Sequence, residues 1–214
     1  MNFHLIDKSY EVNFIMLVCI GLLTFVRSIQ TNLTKKTRLS LQLSAFVCII
    51  ASMHYFLMIK NKANITLYRY FDWFFTTPIL LFDLCLILGI TKDINFIIEI
   101  ITYNTLMLLF GFMGELGILD MWTSTILGFI PFVLLFYKLY YKMQQKIQSE
   151  NTKNAQNKMK KTLFNIFIIL WSLYGLNHLY KNTEYKNGIY NILDLLTKGI
   201  FALFIYKLSW MKTV

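Results

Sequence analysis

Lys198 sits in an otherwise apolar run from Asn191 to Ile205, four residues after Asp194. An ionised lysine in apolar surroundings is expensive, so one that persists there marks a function. Residues four apart share a helix face, so Asp194 and Lys198 can pair. Two uses fit such a lysine. It can condense with a carbonyl compound to a Schiff base whose charge the carboxylate balances, or it can snorkel from a helix end toward water. About ten apolar or small residues follow Lys198, which places it mid-span.

A second constellation runs from Arg69 to Leu84 and contains Asp72, Thr76 and Asp83. At 100° per residue, Thr76 and Asp83 both fall within about 40° of Asp72, and the two aspartates lie roughly 16 Å apart along the axis. Arg69, one turn away, can stabilise the charge on Asp72. Two embedded carboxylates in file with a hydroxyl have the form of a proton relay. Structural glue between helices more often uses Ser, Thr or Asn.

The elements that must position these groups follow from composition. Of 214 residues, 57% are hydrophobic and 15% charged, a profile of an all-α membrane protein. Apolar runs of membrane-crossing length predict seven spans, near 10–30, 39–60, 66–90, 94–117, 119–141, 161–181 and 187–209. They form one seven-transmembrane helix bundle, a single domain over 1–214, with no cleavable signal peptide. With the N-terminus outside, fourteen basic residues face the cytoplasm and six the other side, which predicts a cytoplasmic C-terminus. The net charge of +10 then reflects topology and attraction to anionic lipid, with no nucleic-acid partner implied. Cys19, Cys48 and Cys85 read as small buried hydrophobes. No metal cluster, phosphate loop or Ser-His-Asp order appears, so neither a metal nor an enzymatic activity is expected. The polar segment 140–161 reads as a solvated continuation of the fifth helix followed by a loop.

The residues then assemble into a pattern. Arg69-Tyr70-x-Asp72-Trp73-x-x-Thr76-x-Pro78, with Asp194-x-x-x-Lys198, resembles the microbial (type 1) rhodopsins, and proteorhodopsins in particular. The resemblance extends through His54-Tyr55 with Met58 and the segment Phe110 to Ile118. It also covers Trp171 with Tyr174, and Tyr190-Asn191 before Asp194. It implies that Lys198 binds all-trans-retinal as an imine, with Asp72 and Asp194 as counterions and Arg69 balancing the second negative charge. It further implies that Trp73 and Trp171 sandwich the chromophore, with Tyr174, Thr76 and Leu80 beside it. Tyr174 and Tyr190 match tyrosines that bond the seventh-helix aspartate. Asp72 would be the proton acceptor, Asp83 the donor, and His54 the residue that modulates the acceptor.

The chain also departs from that pattern. Gly175 stands where the family has proline, Pro131 is extra, and Asp83 replaces a glutamate. The short chain, rich in Ile, Asn, Lys and Phe, suits an AT-rich genome such as that of an algal or giant virus. Viral-type rhodopsins include cation channels. The first expectation is a light-driven outward proton pump, a photoreceptor that forms homo-oligomers. The alternatives are a light-gated channel for small cations, with Ser44, Ser52, Glu99, Asn104, Glu115, Asn191 and Thr197 among its liners, and a sensory rhodopsin signalling through a partner. Leu80 matches the family's colour switch, apolar in green absorbers and Gln in blue ones. Green absorption is therefore expected. Leu80→Gln should move the visible absorption maximum to shorter wavelength, and a red shift or no shift would contradict this alignment of the third helix.

Overall fold

In a computed structural model, residues 3–149 and 154–210 are described, and all of their regular structure is helical. The helices are α1 (Phe3–Ser28), α2 (Lys35–Lys60), α3 (Ile65–Leu88), α4 (Ile94–Glu115), α5 (Met121–Ser149) and α6 (Asn154–His178). A last rod runs through α7 (Thr183–Asp194), a π-helical segment (Leu195–Ile200) and α8 (Phe201–Trp210). These are the seven rods expected from the sequence.

The rod ends are written in local chemistry. The Thr34 hydroxyl, the Asp93 carboxylate and the Asn182 amide oxygen each accept a first-turn N–H, of Thr37, Phe96 and Tyr185 respectively. Asp120 does the same for Trp122 and Thr123, and bonding to Thr123 holds its carboxyl below the usual range. Gly89 (φ 79°) and Gly117 (φ 72°) close α3 and α4 with one motif. The glycine N–H bonds the carbonyl three residues back, and the next N–H reaches five back, from Ile90 to Cys85 and from Ile118 to Met113. That left-handed cap is costly for any residue with a Cβ.

Several helices extend beyond the apolar spans. α1 starts at Phe3, α5 continues to Ser149 and α6 begins at Asn154, because polar residues outside the hydrocarbon still make good helix. The segment 140–161 is therefore mostly helix, and residues 150–153 lie outside the described ones. Six helical rods are long and apolar enough to cross a bilayer by composition alone. α6 falls short because Lys158, Lys160 and Lys161 occupy its early turns. Exposed Ile15, Leu22, Phe75, Ile98, Ile130, Val133, Ile169 and Ile200 give the rods outer surfaces suited to lipid.

The chain divides into two compact units, residues 1–80 with 180–214, and residues 81–179. The first holds α1, α2, the start of α3 and the last rod. Its core is built on Ile6, Tyr10, Leu17, Ile20, Cys48, Ala51, Tyr55, Met58 and Ala202. In α3, Pro78 removes one backbone donor. Just before it, the hydroxyls of Thr76 and Thr77 bond the carbonyls of Asp72 and Trp73 at 2.8 and 2.7 Å.

The second unit holds the end of α3 with α4, α5 and α6. Rings of Phe129, Phe132, Phe136, Phe164 and Trp171 stack along it at centroid distances of 4.8–6.0 Å. Phe129 also explains Gly175: a Cβ there would lie 2.7 Å from its ring. At one end His178 joins three helices. Its Nε2 lies 3.1 Å from the Ser124 hydroxyl and its Nδ1 3.0 Å from Glu115. Gly114 makes room for this cluster, since a Cβ would sit 2.2 Å from the Ser124 oxygen and 2.8 Å from His178 Nε2. Gly114→Ala should therefore lower stability by about 1–3 kcal/mol through overpacking. Thermal melting followed by circular dichroism checks this, and an unchanged midpoint would mean that the cluster yields freely.

Candidate functional site

The candidate site lies within the first unit, where α3 and the last rod each bring a carboxylate and a cation. Arg69 and Asp72 come from α3, Asp194 ends α7, and Lys198 lies in the π-helical segment. All four are essentially sealed from solvent, with relative exposures of 1%, 0%, 0% and 1%. Lys198 Nζ bonds Asp72 Oδ2 and lies 3.2 Å from Asp194 Oδ1. Arg69 Nη1 reaches Asp194 Oδ2 at 3.2 Å. The two cations and two carboxylates cancel. Deleting one member strands a buried charge, at a cost of about 3–5 kcal/mol.

Asp194 is the hub. The Tyr55 hydroxyl donates to its Oδ2 at 2.8 Å, and the Trp73 indole N–H donates to its Oδ1 at 3.1 Å. Arg69 continues outward, donating from Nη2 to the Asn191 amide oxygen at 2.7 Å. Asn191 in turn donates to the Ser9 hydroxyl at 2.7 Å, and its backbone carbonyl accepts from Asn13 at 2.6 Å. The rings of Tyr190, Tyr55 and Trp73 surround the guanidinium, with its carbon 5.3–6.0 Å from their centroids. A chain of polar groups thus leads from the buried amine to the end of α1.

The expected residues take distinct places. The shared face of α3 is buried throughout, with Asp72 and Thr76 at 0% exposure and Asp83 at 1%. Arg69 does not turn back along α3 to Asp72; it reaches Asp194. The reason is that Lys198 already neutralises Asp72, and Asp194 would otherwise carry the uncompensated charge. Trp73 bonds the hub aspartate through its indole N–H while presenting a large apolar surface. Tyr190 packs edge-on against Trp73 at 4.9 Å. His54 points Nδ1 at the Ile50 carbonyl, 3.0 Å away. A carbonyl only accepts, so His54 donates from a protonated Nδ1. Leu80 is buried at the end of the first unit. Asp83, Trp171 and Tyr174 belong to the second unit, where Trp171 packs against Phe136 and Phe167.

Two functional roles were not assigned from sequence. Tyr55 was noticed only as a neighbour of His54, and Asn191 only as a pore-liner. Their polar tips beside aromatic or charged neighbours were the available signal. Four of the other proposed pore-liners are engaged locally. Ser52 and Thr197 bond carbonyls of their own helices, Glu99 pairs with Lys138 at 2.5 Å, and Glu115 pairs with His178.

Chemically, the arrangement holds a protonatable nitrogen against an acceptor carboxylate inside a neutral, sealed group. Asp72 Oδ1 has no hydrogen-bond partner among the described residues. An orphaned buried acceptor beside an amine is costly unless a bound group or proton engages it.

The sequence pattern of the bacteriorhodopsin-like protein family matches residues 6–212. The green-light absorbing proteorhodopsin of Gamma-proteobacterium EBAC31A08 is 28% identical over 194 residues, covering 83% of this chain and 76% of that protein. The crystal structure of the viral rhodopsin OLPVRII aligns with a TM-score of 0.83 at 28% identity, over 98% of this chain and all of that one. Exiguobacterium sibiricum rhodopsin superposes with a TM-score of 0.87 at 21% identity, over 99% of this chain and 98% of its own, a likeness of fold.

Asn191 should be energetically prominent because it accepts from a buried guanidinium. Asn191→Leu is expected to cost about 2–3 kcal/mol, the worth of a hydrogen bond to a charged group. Chemical or thermal unfolding of the purified protein measures it, and a loss under about 0.5 kcal/mol would show that Arg69 finds an equal acceptor.

Proposed function

Since the chain belongs to the bacteriorhodopsin-like family, we propose that it acts as a light-driven outward proton pump. It is an integral multi-pass membrane protein, and retinal is the chromophore of its family. The present residues fit that group. Lys198 offers a sealed amine at mid-span, Asp72 and Asp194 offer charge balance, and Asp72 Oδ1 is an unsatisfied acceptor. In this reading 1–214 is one retinal-binding domain. Lys198 holds the cofactor, and Trp73, Trp171, Tyr174, Thr76 and Leu80 enclose it.

Bound retinal supplies a light-driven isomerisation that redirects the Lys198 nitrogen and weakens its hold on a proton. The protein's own groups do the rest. Asp72 Oδ2 accepts the proton from Lys198 Nζ. That transfer neutralises one cation and one carboxylate together, so Arg69 and Asp194 remain a balanced pair and no new buried charge arises. Arg69, Asn191 and Ser9 form the polar chain by which the proton leaves. Asp83, three turns further along α3, returns a proton from the opposite side past Thr76. His54 tunes the acceptor through its Nε2. The excess of basic residues on one side supports a cytoplasmic donor side and C-terminus, with the N-terminus outside. The assembly would be a homo-oligomer.

The observation that carries the reading is the Lys198–Asp72 contact within the neutral quartet, with Asp83 buried on the same α3 face. Passive conduction of cations would call for polar groups lining a continuous path. The engagement of Glu99 by Lys138 and of Glu115 by His178 supports pumping over that alternative.

Proteoliposomes, a pH electrode and flash photolysis test the proposal together. The wild type should move protons in one direction at every voltage, and a photocurrent that reverses with the ion gradient would replace the pump by a channel. Lys198→Ala should give no visible band with retinal. Asp72→Asn should shift the band far to the red and stop transport. Asp83→Asn should leave the colour nearly unchanged and slow return of the proton. Unaltered kinetics in Asp83→Asn would remove its role as donor.

A further inference from the structure

The left-handed turn at Gly89 folds the chain back, so that Lys92 and Asp93 arrive beside the end of α5. Between them lies a cavity of about 650 Å³ lined by Lys92, Asp93, Lys142, Gln145, Lys146 and Ser149. All of it lies within the second unit. Ile90 and Ile94 complete the lining, and Ile94 is exposed on its outer side. Three lysines against one aspartate leave the lining at plus two.

The cavity owes its walls to the length of α5. About 20 residues cross a hydrocarbon core, and α5 has 29. Its last turns therefore stand beyond the apolar layer. Two ion pairs tie it to α4, Lys138 to Glu99 at 2.5 Å and Lys142 to Asp93 at 2.8 Å. Exposed Tyr137, Tyr140 and Tyr141 mark the headgroup level on the same helix. Lys142 and Lys146 follow directly, so the cavity opens at the depth where lipid phosphates lie.

We propose that this cavity binds the phosphate headgroup of an anionic phospholipid. Lysines recognise phosphate as point charges, and basic pockets at the membrane surface select acidic headgroups. Gln145 adds a neutral amide donor for a remaining oxygen. Ile94, which is exposed, provides an apolar edge for the glycerol and the acyl chains that continue into the bilayer. The Lys142–Asp93 pair is partly exposed, 33% and 42%, and a pair so open to water is weak and exchangeable. Lys142 can therefore turn from Asp93 to an arriving phosphate. Its bond to Lys142 keeps the Asp93 carboxyl below its usual range, so the plus-two lining is that of neutral pH. The inference rests on the membrane-spanning reading and is independent of which ion is transported.

Native mass spectrometry of the full, retinal-loaded chain tests it, released from micelles doped with equal phosphatidylglycerol and phosphatidylcholine. The wild type should retain one phosphatidylglycerol roughly tenfold in preference to phosphatidylcholine, and Lys92→Gln/Lys146→Gln should abolish the preference. An intact visible band in the variant shows that it is folded. Lys158→Gln/Lys161→Gln removes the same charge outside the lining and should keep the preference. Equal loss in both variants would reduce the effect to diffuse attraction and overturn the site. Full displacement by about 10 mM inorganic phosphate would make the ligand a free anion and overturn the lipid assignment. No preference in the wild type would do the same.

Discussion

A cation inside a bilayer has to be neutralised where it stands, and the first unit is organised around that requirement. Lys198 cannot remain in an apolar rod without a carboxylate. Two carboxylates approach it, and the surplus negative charge then demands Arg69. A buried guanidinium brings five donors that need acceptors, and Asn191 supplies one at 2.7 Å. Asn191 in turn engages Ser9 and, through its backbone, Asn13 on α1. Each link exists because the previous one would otherwise be unsatisfied. Lipid tails offer little drive for apolar helices to associate, so this polar chain and close packing have to select the arrangement of the rods.

Much of this is written openly in the sequence. Asp194 and Lys198 stand one turn apart, and the sealed face of Asp72, Thr76 and Asp83 follows from helical geometry alone. Helix limits were less legible, because hydropathy senses the hydrocarbon layer and is blind to helix that continues in water. The last two turns of α5 and the first of α6 are of that kind. Partner choice was legible from the resemblance, which gives Arg69 to the second negative charge, but not from spacing alone. The spacing of Arg69 and Asp72 suggested a pair along α3, but which carboxylate carries excess charge depends on where Lys198 points. The Glu115–Ser124–His178 cluster has no sequence period, since it joins residues from three rods.

Departures from the family pattern acquire reasons in packing. Gly175 stands where the resemblance leads to an expectation of proline, and the Phe129 ring lies 2.7 Å from where a Cβ on residue 175 would stand. α6 runs as regular helix through that position. Pro131 meanwhile sits buried in α5, two residues from Phe129. The Phe129 ring thus packs on the bare backbone of Gly175, while Phe136 against Phe164 and Trp171 ties α5 to α6 through side chains.

The π-helical segment has a consequence for tolerance of length change. α1 is fastened to the last rod twice, by Asn13 to the Asn191 carbonyl at 2.6 Å and by Arg27 to Ser209 at 2.9 Å. Between those fastenings the last rod carries the longer stretch of chain, 191–209 against 13–27. Turns closed by i→i+5 bonds hold one residue more than ordinary ones, so the rod stores one residue of that surplus as girth. Loss of a single residue just before Lys198 would let the segment relax to an ordinary helix. Both fastenings could then persist while the amine swung by about 100° away from Asp72. The chain would keep its shape and lose its charge balance, so selection against single-codon deletions should be sharpest at the one place where the fold itself would forgive them.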